Sequence, residues 1–351
     1  MQRHLPLLLC ALSIYSHAQT VPSELLDMSI EELLQAHIID DSRSAQTSSP
    51  WRLTYTFQSG TFKDYHQGTR KKDSLSYLWK PQAGPRQASQ YIAVTPEIRQ
   101  EVHAITLTRD LSEATAVSVL VPWIEQSTDH LAVIPGWTDF TTHSEDMGDT
   151  KLSVSHQFAQ GLTSAWTLRA GVSLPTGSIN ERATTPAGPG SLLPYTMQMG
   201  SGTTDVSLGL SVMKEESSFF WGADADTTVR RGRNDHDYRL GDNVSLAGWA
   251  YLTQWANVQP GVQFRWTYSG AIVGADPDIP GPNADGLYPT PILNPDNYGG
   301  HRIDGTLFLR YVPSGSDWHL DLQYTLPLHQ DLNGPQVGLD NSLGVSMGYR
   351  F

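Results

Sequence analysis

The chain is 351 residues long, carries a formal net charge of −13 and contains one cysteine. The acidic balance argues against nucleic-acid binding, which needs a basic face, and one cysteine cannot staple a small secreted domain. A mean hydropathy of −0.33 suits a soluble protein and a transmembrane β-barrel equally, because barrel strands show lipid only every second residue.

The first residues, MQRHLPLLLCALSIYSHAQT, have a short start with Arg3, an apolar run from Leu5 to Tyr15 and small residues at Ser16 and Ala18. That pattern predicts a secretory signal peptide over residues 1–18. The apolar run is too short to span a bilayer as a helix. Cys10 leaves with this segment, and loss of Arg3 takes the formal charge from −13 to −14. Residues 19–50 read as a periplasmic segment. Its SIEE stretch is a capping box, with Ser29 and Glu32 placed to satisfy each other's end of a helix. A short helix over 30–36 follows, with Ile30, Leu33 and Leu34 at helical spacing. An apolar-faced helix on the tether DDSRSAQTSSP must bury that face at the barrel mouth, in the lumen, or on a periplasmic partner contacted through residues 24–38.

From Trp51 to Phe351 the chain repeats one texture, period-2 alternation broken by turns. WRLTYTFQ puts Trp51, Leu53, Tyr55 and Phe57 on one face and Arg52, Thr54, Thr56 and Gln58 on the other. WTLRAGVSLP, DVSLGLSV, FFWGADADTTVR, VQPGVQFRWTYS, RIDGTLFLRY and WHLDLQYTLP follow the same rule. Thr95 to Leu111 is the least regular stretch and predicts a bulge. Twelve such segments can be counted, beginning near residues 51, 94, 114, 149, 164, 203, 217, 241, 257, 301, 317 and 337. Connections at 110–113, 161–163, 215–216, 255–256 and 313–316 are tight, whereas those at 61–93, 128–148, 178–202 and 273–300 are long. Tight turns on one rim and long loops on the other are the habit of outer-membrane barrels. The expected fold is all-β, a transmembrane antiparallel up-and-down β-barrel of twelve strands over residues 51–351, with a short N-terminal periplasmic helix.

Lipid cannot solvate charge, so the polar parity must face inward. The candidate lumen-lining residues are Lys151, Arg169, Asp205, Asp224, Asp226, Arg265, Asp304, Arg310 and Asp321. They can pair into a network that stiffens the barrel or line a hydrated passage, and position around the wall is not readable from sequence.

The search for catalysis is largely negative. Ser155 and His156 are adjacent on a strand and must point to opposite faces, HSED at 143–146 lies in an expected loop, and neither GxSxG nor HExxH occurs. Asp276, Asp278, Asn283 and Asp285 offer oxygen ligands for calcium, but Pro/Asp/Asn-rich loops are ordinary turn chemistry. His130, His143, His236 and His301 are loop or rim histidines, and Trp137, Phe140, Tyr195 and Tyr288 suit a docking surface or an interfacial girdle. No cofactor is called for, and the protein is not expected to be an enzyme.

GDTKLSV (148–154), SLPTGS (173–178), MQMGSGTTDVSLGL (197–210) and LPLHQDLNGPQVGL (326–339) occur in an order that resembles the outer-membrane transporters grouped under the meta-pathway of phenol degradation. The resemblance implies a barrel in the outer membrane of a Gram-negative bacterium that passes a small, aromatic or hydrophobic solute. It supplies no catalytic residues. The rival readings are a structural or adhesive barrel whose loops bind an external partner, and an outer-membrane hydrolase. The final strand SLGVSMGYRF sets Leu343, Val345, Met347, Tyr349 and Phe351 on one parity, which resembles the signal read by the barrel assembly machinery. Expected partners are therefore outer-membrane lipid and lipopolysaccharide, that machinery, and the solute.

Overall fold

The computed structural model describes residues 49–160, 164–253, 255 and 257–351. The signal peptide, the helix over 30–36 and the contact over 24–38 lie outside the described residues.

Wall strands β1 (Trp51–Gly68), β2 (Glu97–Asp110) and β3 (Thr115–Ala132) are followed by β4, which comprises Asp139–Met147 and Thr150–Gln160. Next come β5 (Ser164–Leu174), β6 (Asp205–Glu215), β7 (Phe219–Arg230), β8 (Asn243–Leu252), β9 (Val258–Ser269) and β10 (Gly300–Tyr311). The last element, Trp318–Arg350, is 33 residues long. Fully extended it would span about 110 Å, yet Arg350 N donates to Asp317 O at 2.9 Å. The element therefore doubles back. Its first part (318–332) pairs with β10 and its second (336–350) with β1; these are β11 and β12. Each strand is antiparallel to its sequence neighbours, and the pairing of β12 with β1 closes the ring. Among the described residues the wall thus has twelve staves.

The alternation has the physical cause expected of a lipid solvent. On the outer parity, Leu168, Leu208, Phe264 and Leu307 are 48%, 51%, 59% and 63% exposed. An apolar band of that extent would be untenable on a protein surrounded by water. On the inner parity Arg52, Asp205, Asp224, Arg265, Asp304 and Arg310 are buried. At the tight-turn rim Trp51, Tyr311, Trp318, Tyr349 and Phe351 form an aromatic edge, with Arg109 over the Trp51 ring at 5.2 Å and Tyr311 edge-on to Trp318 at 5.7 Å. Such rings settle where lipid meets water.

The opposite rim departs from the expected loop plan. Residues 128–148 are not a long loop: β3 and the first part of β4 continue as a hairpin, paired from Trp123↔Met147 to Leu131↔Asp139, with only 133–138 as its turn. Likewise β1 runs to Gly68, beyond the expected end near 60. The bulge expected between Thr95 and Leu111 is absent, for β2 pairs without a register shift from Ile98 to Asp110 against β3. Shifts occur instead in β1 beyond Thr61, in β4 at Gln157/Ala159 and between β10 and β11 at Ile303/Asp304. The irregular look of β2 has another origin. Towards the long-loop rim its inward residues Ile98 and Val102 join an apolar core with Phe62, Tyr65, Ile124 and Val337, while Arg99 and Glu101 turn outward. Hydrophobic polarity inverts once the strand has passed the apolar belt, because water replaces lipid outside.

Loops 175–204, 231–242 and 270–299 roof this rim around a second core of Leu192, Tyr195, Tyr238, Ile272, Ile279, Leu293 and Tyr298. One buried carboxylate ties the roof to the wall. At Gly148–Asp149 the strand β4 is interrupted, and Asp149 accepts Gly177 N at 2.8 Å, Ser201 N at 2.9 Å and Ser201 Oγ at 2.6 Å. A Cβ on Gly177 would stand 2.7 Å from Gly200 Cα, and one on Gly200 would stand 2.4 Å from Gly177 O. Three separated stretches, GDT, PTG and GSG, thereby meet at one knot.

Candidate functional site: the inner wall

Side chains of the inner parity are placed by strand register, and glycine decides which of them can meet. Arg169 of β5, Gly209 of β6 and Asp226 of β7 lie in one cross-strand row. A Cβ on Gly209 would fall 2.2 Å from Asp226 Oδ1 and 3.0 Å from the Arg169 guanidinium. Without it the two charged groups reach over the middle strand and bond at 2.8 Å. Arg169 also approaches Asp224 at 3.6 Å and donates to Ser211 Oγ at 3.0 Å, and Asp224 accepts the Trp249 indole N–H at 2.7 Å.

The same device builds an aromatic band nearer the tight-turn rim. Trp249 lies over Gly222 towards Met213, and Phe308 lies over Gly261 towards Tyr251; a Cβ on either glycine would stand 2.2–2.3 Å from the ring. Met213, Phe220, Trp249, Tyr251 and Phe308 form one buried cluster. Phe220 stacks on Tyr251 at 5.1 Å between centroids and Tyr251 on Trp249 at 5.8 Å. These residues occupy the inward parity and face neither lipid nor bulk water.

The other candidate residues fall into three further groups. Asp205 pairs with Arg230 at 3.2 Å and accepts Thr203 Oγ1 at 2.7 Å, below the roof. Asp304 pairs with Arg302 at 3.0 Å, and its cross-strand neighbour Arg265 donates to Ser245 Oγ at 3.0 Å. Asp321 receives Arg310 through two hydrogen bonds of 2.8 and 3.2 Å, with His319 Nε2 3.6 Å away. Lys151 is half-buried on β4, in register with Leu120 and Ser173. So the structure joins Arg169 to Asp224 and Asp226, and Arg310 to Asp321, while giving Asp205 and Asp304 arginine partners that alternation did not single out. The aromatic band was also missed. Its signal was there: aromatic residues and glycine on the otherwise polar parity of neighbouring strands.

Most of the remaining sequence candidates are dispersed, although His236, Asp276 and Asp278 come together in the roof. Ser155 lies on the inner parity of β4, whereas His156 bonds Thr115 Oγ1 at 2.9 Å on the outer face. His130 is buried against Phe140 and bonded to Thr142 at 2.9 Å, His143 is exposed, and His301 rests on Tyr268. Asn283 spends its side-chain oxygen on the Asp285 and Leu287 amides, so it and Asp285 close their own turn apart from Asp276.

No protein-family model matches the chain, and no curated protein matches it. Among solved structures it is similar to the COG4313 outer membrane channel from Pseudomonas putida F1, at 11% identity and a TM-score of 0.54, over 88% of this chain and 97% of that one. The fold is that of an outer-membrane barrel. The KdgM porin (8% identity, TM-score 0.39, 86% and 99% covered) and the NanC porin (7%, 0.42, 85% and 100%) superpose more loosely and carry no argument. With the apolar belt outside and fixed charges inside, the chain spans the outer membrane in contact with its lipid.

Proposed function

We propose that the protein is a passive channel for a small solute bearing an aromatic or otherwise apolar part. One observation carries the reading: the inner wall presents fixed charges and hydrogen-bonding groups from the Asp205–Arg230 pair below the roof to the Arg310–Asp321 pair near the opposite rim, with an aromatic band beside them. Polar groups on the inner parity suit a hydrated passage, and the aromatic band gives the same wall an apolar stretch suited to a planar solute. The resemblance in motif order supports the same reading, and the solved structure with the same fold is itself described as an outer membrane channel. Insertion by the barrel assembly machinery through the last strand, with lipopolysaccharide around the long-loop rim, belongs to this proposal.

The test is conductance of the purified protein in planar bilayers, alone and after deletion of residues 19–50. Discrete conductance steps, with ion preference shifted towards anions by Asp224→Asn, are expected. Absence of ion or solute passage from both proteins would sink the channel reading and favour a structural or adhesive barrel.

A further inference from the structure

Three loops of the roof converge on a set of donor atoms that neither the wall nor the proposed passage uses. His236 stands in the 231–242 loop. Its position is set by Asn234, whose side-chain oxygen accepts the amides of His236 at 3.1 Å and Tyr238 at 3.2 Å. Asp276 and Asp278 come from the 270–299 loop, where the Asp276 amide donates to Tyr195 Oη at 3.1 Å and Asp276 Oδ1 accepts the Asp278 amide at 2.8 Å. One ligand atom from each of His236, Asp276 and Asp278 lies within 4.8 Å of the others.

The imidazole is oriented as a metal ligand would be. His236 Nε2 lies 3.0 Å from Asn180 Oδ1, contributed by the third loop, 175–204. An amide oxygen only accepts, so this contact makes Nε2 the protonated nitrogen. Nδ1 is then turned to the carboxylates, 2.8 Å from Asp276 Oδ2. A histidine that gives its far N–H to an amide or carboxylate oxygen while its near nitrogen faces anionic donors is the supporting arrangement of bound metals.

We propose that His236, Asp276 and Asp278 bind a divalent transition-metal ion, with Zn²⁺ the best match, and that the ion fastens the 231–242 and 270–299 loops to each other, with 175–204 joined through the Asn180 contact to His236. One imidazole and two carboxylates suit zinc, which takes three protein ligands and a water. They are too few oxygens for calcium, which gathers six to eight. Tetrahedral zinc bonds of about 2.0–2.2 Å bring ligand atoms to roughly 3.3–3.6 Å of one another, so one side chain must close in. Asp278 is the one free to do so, its side chain being 59% exposed where that of Asp276 is 2%. The competitor is Arg182, which reaches Asp278 Oδ2 at only 3.5 Å on a side chain 44% exposed and can swing away.

The experiment is zinc titration of the full, tag-free barrel protein in detergent, by calorimetry or competition with a chromophoric chelator. Migration of the unheated protein on a gel reports that each variant is folded. One Zn²⁺ per chain is expected. His236→Ala should weaken binding at least tenfold, Asn180→Ala by about tenfold through loss of the orienting contact, and Arg182→Ala should tighten it. Because Asp276 is buried and its loss could disturb the roof, Asp278→Asn serves as the carboxylate variant and should weaken binding. No stoichiometric zinc binding by the parent protein, undiminished affinity in folded His236→Ala, or preference for Ca²⁺ over Zn²⁺ would each overturn the assignment.

Discussion

At the scale of single residues, Asp149 shows how one side chain can govern a remote part of the chain. Its carboxylate satisfies three donors from two different segments and is fully buried. Hydrogen bonds to a charged acceptor are worth about 1.5–3 kcal/mol each, and donors left unpaired in a buried place add their own desolvation cost. Asp149→Ala should therefore destabilise the protein by about 3 kcal/mol or more, read as a lower urea midpoint in detergent, with faster proteolysis of 175–204. An unchanged midpoint and digestion pattern would show that the knot forms without it. In sequence Asp149 is one polar residue beside a glycine, and alternation put no weight on it. What makes it special is the approach of Gly177 and Gly200, backbone against backbone, and no local pattern reports that.

Strands and loops obey different solvents at different heights. The belt residues of β2, Ile105 and Leu107, face outward, yet a few positions on, Ile98 and Val102 face inward with Arg99 and Glu101 outside. A single parity rule therefore holds only within the lipid band, and a strand that leaves it looks irregular though its pairing is regular. The segment 69–96 packs on the same upper core through Tyr77 and Tyr91. Burial raises both phenols above their ordinary 10.0, with neighbouring tyrosine charge adding to it at Tyr77. A group whose folded pKa is raised stabilises the fold below its unfolded pKa and loses that contribution as pH climbs past it. The packing of 69–96 should hold at neutral pH and loosen as the pH rises above 10. Ultraviolet titration of tyrosine alongside limited proteolysis checks this: cleavage of the segment should track the late-ionising phenols, and cleavage independent of pH would contradict it.

On the scale of the molecule, closure is the step on which stability depends. β12 pairs with β1 from Arg52↔Arg350 to Gln58↔Gly344 and beyond, and Phe351 N donates to Trp51 O at 3.1 Å. An unclosed barrel would leave two strand edges in lipid, where unmet amides and carbonyls have no water to bond. Phe351 is half-exposed and stacks beside Tyr349 at 6.2 Å, at the rim where aromatic rings anchor. Deletion of Phe351 should reduce the amount of folded protein in the outer membrane, measured as heat-modifiable protein in membrane fractions. Full insertion without it would remove the final strand's role as an assembly signal. The buried ion pairs inside the wall add little to total stability, since burying charge costs nearly what pairing returns.

The sequence by itself determined the class of fold, the parity that meets lipid and the number of staves. All of these follow from period-2 alternation and turn chemistry, which are local properties of an extended chain in two solvents. It also placed Asp224, Asp226, Arg310 and Asp321 on the inner parity. Tertiary structure alone decided that Arg169 reaches across Gly209, that Asp205 belongs to Arg230, and that Trp249 and Phe308 lie over glycines. Register between strands and the meeting of loops from 175–204, 231–242 and 270–299 are non-local. They are set by how twelve staves close on one another and by which side chains are small enough to let others pass.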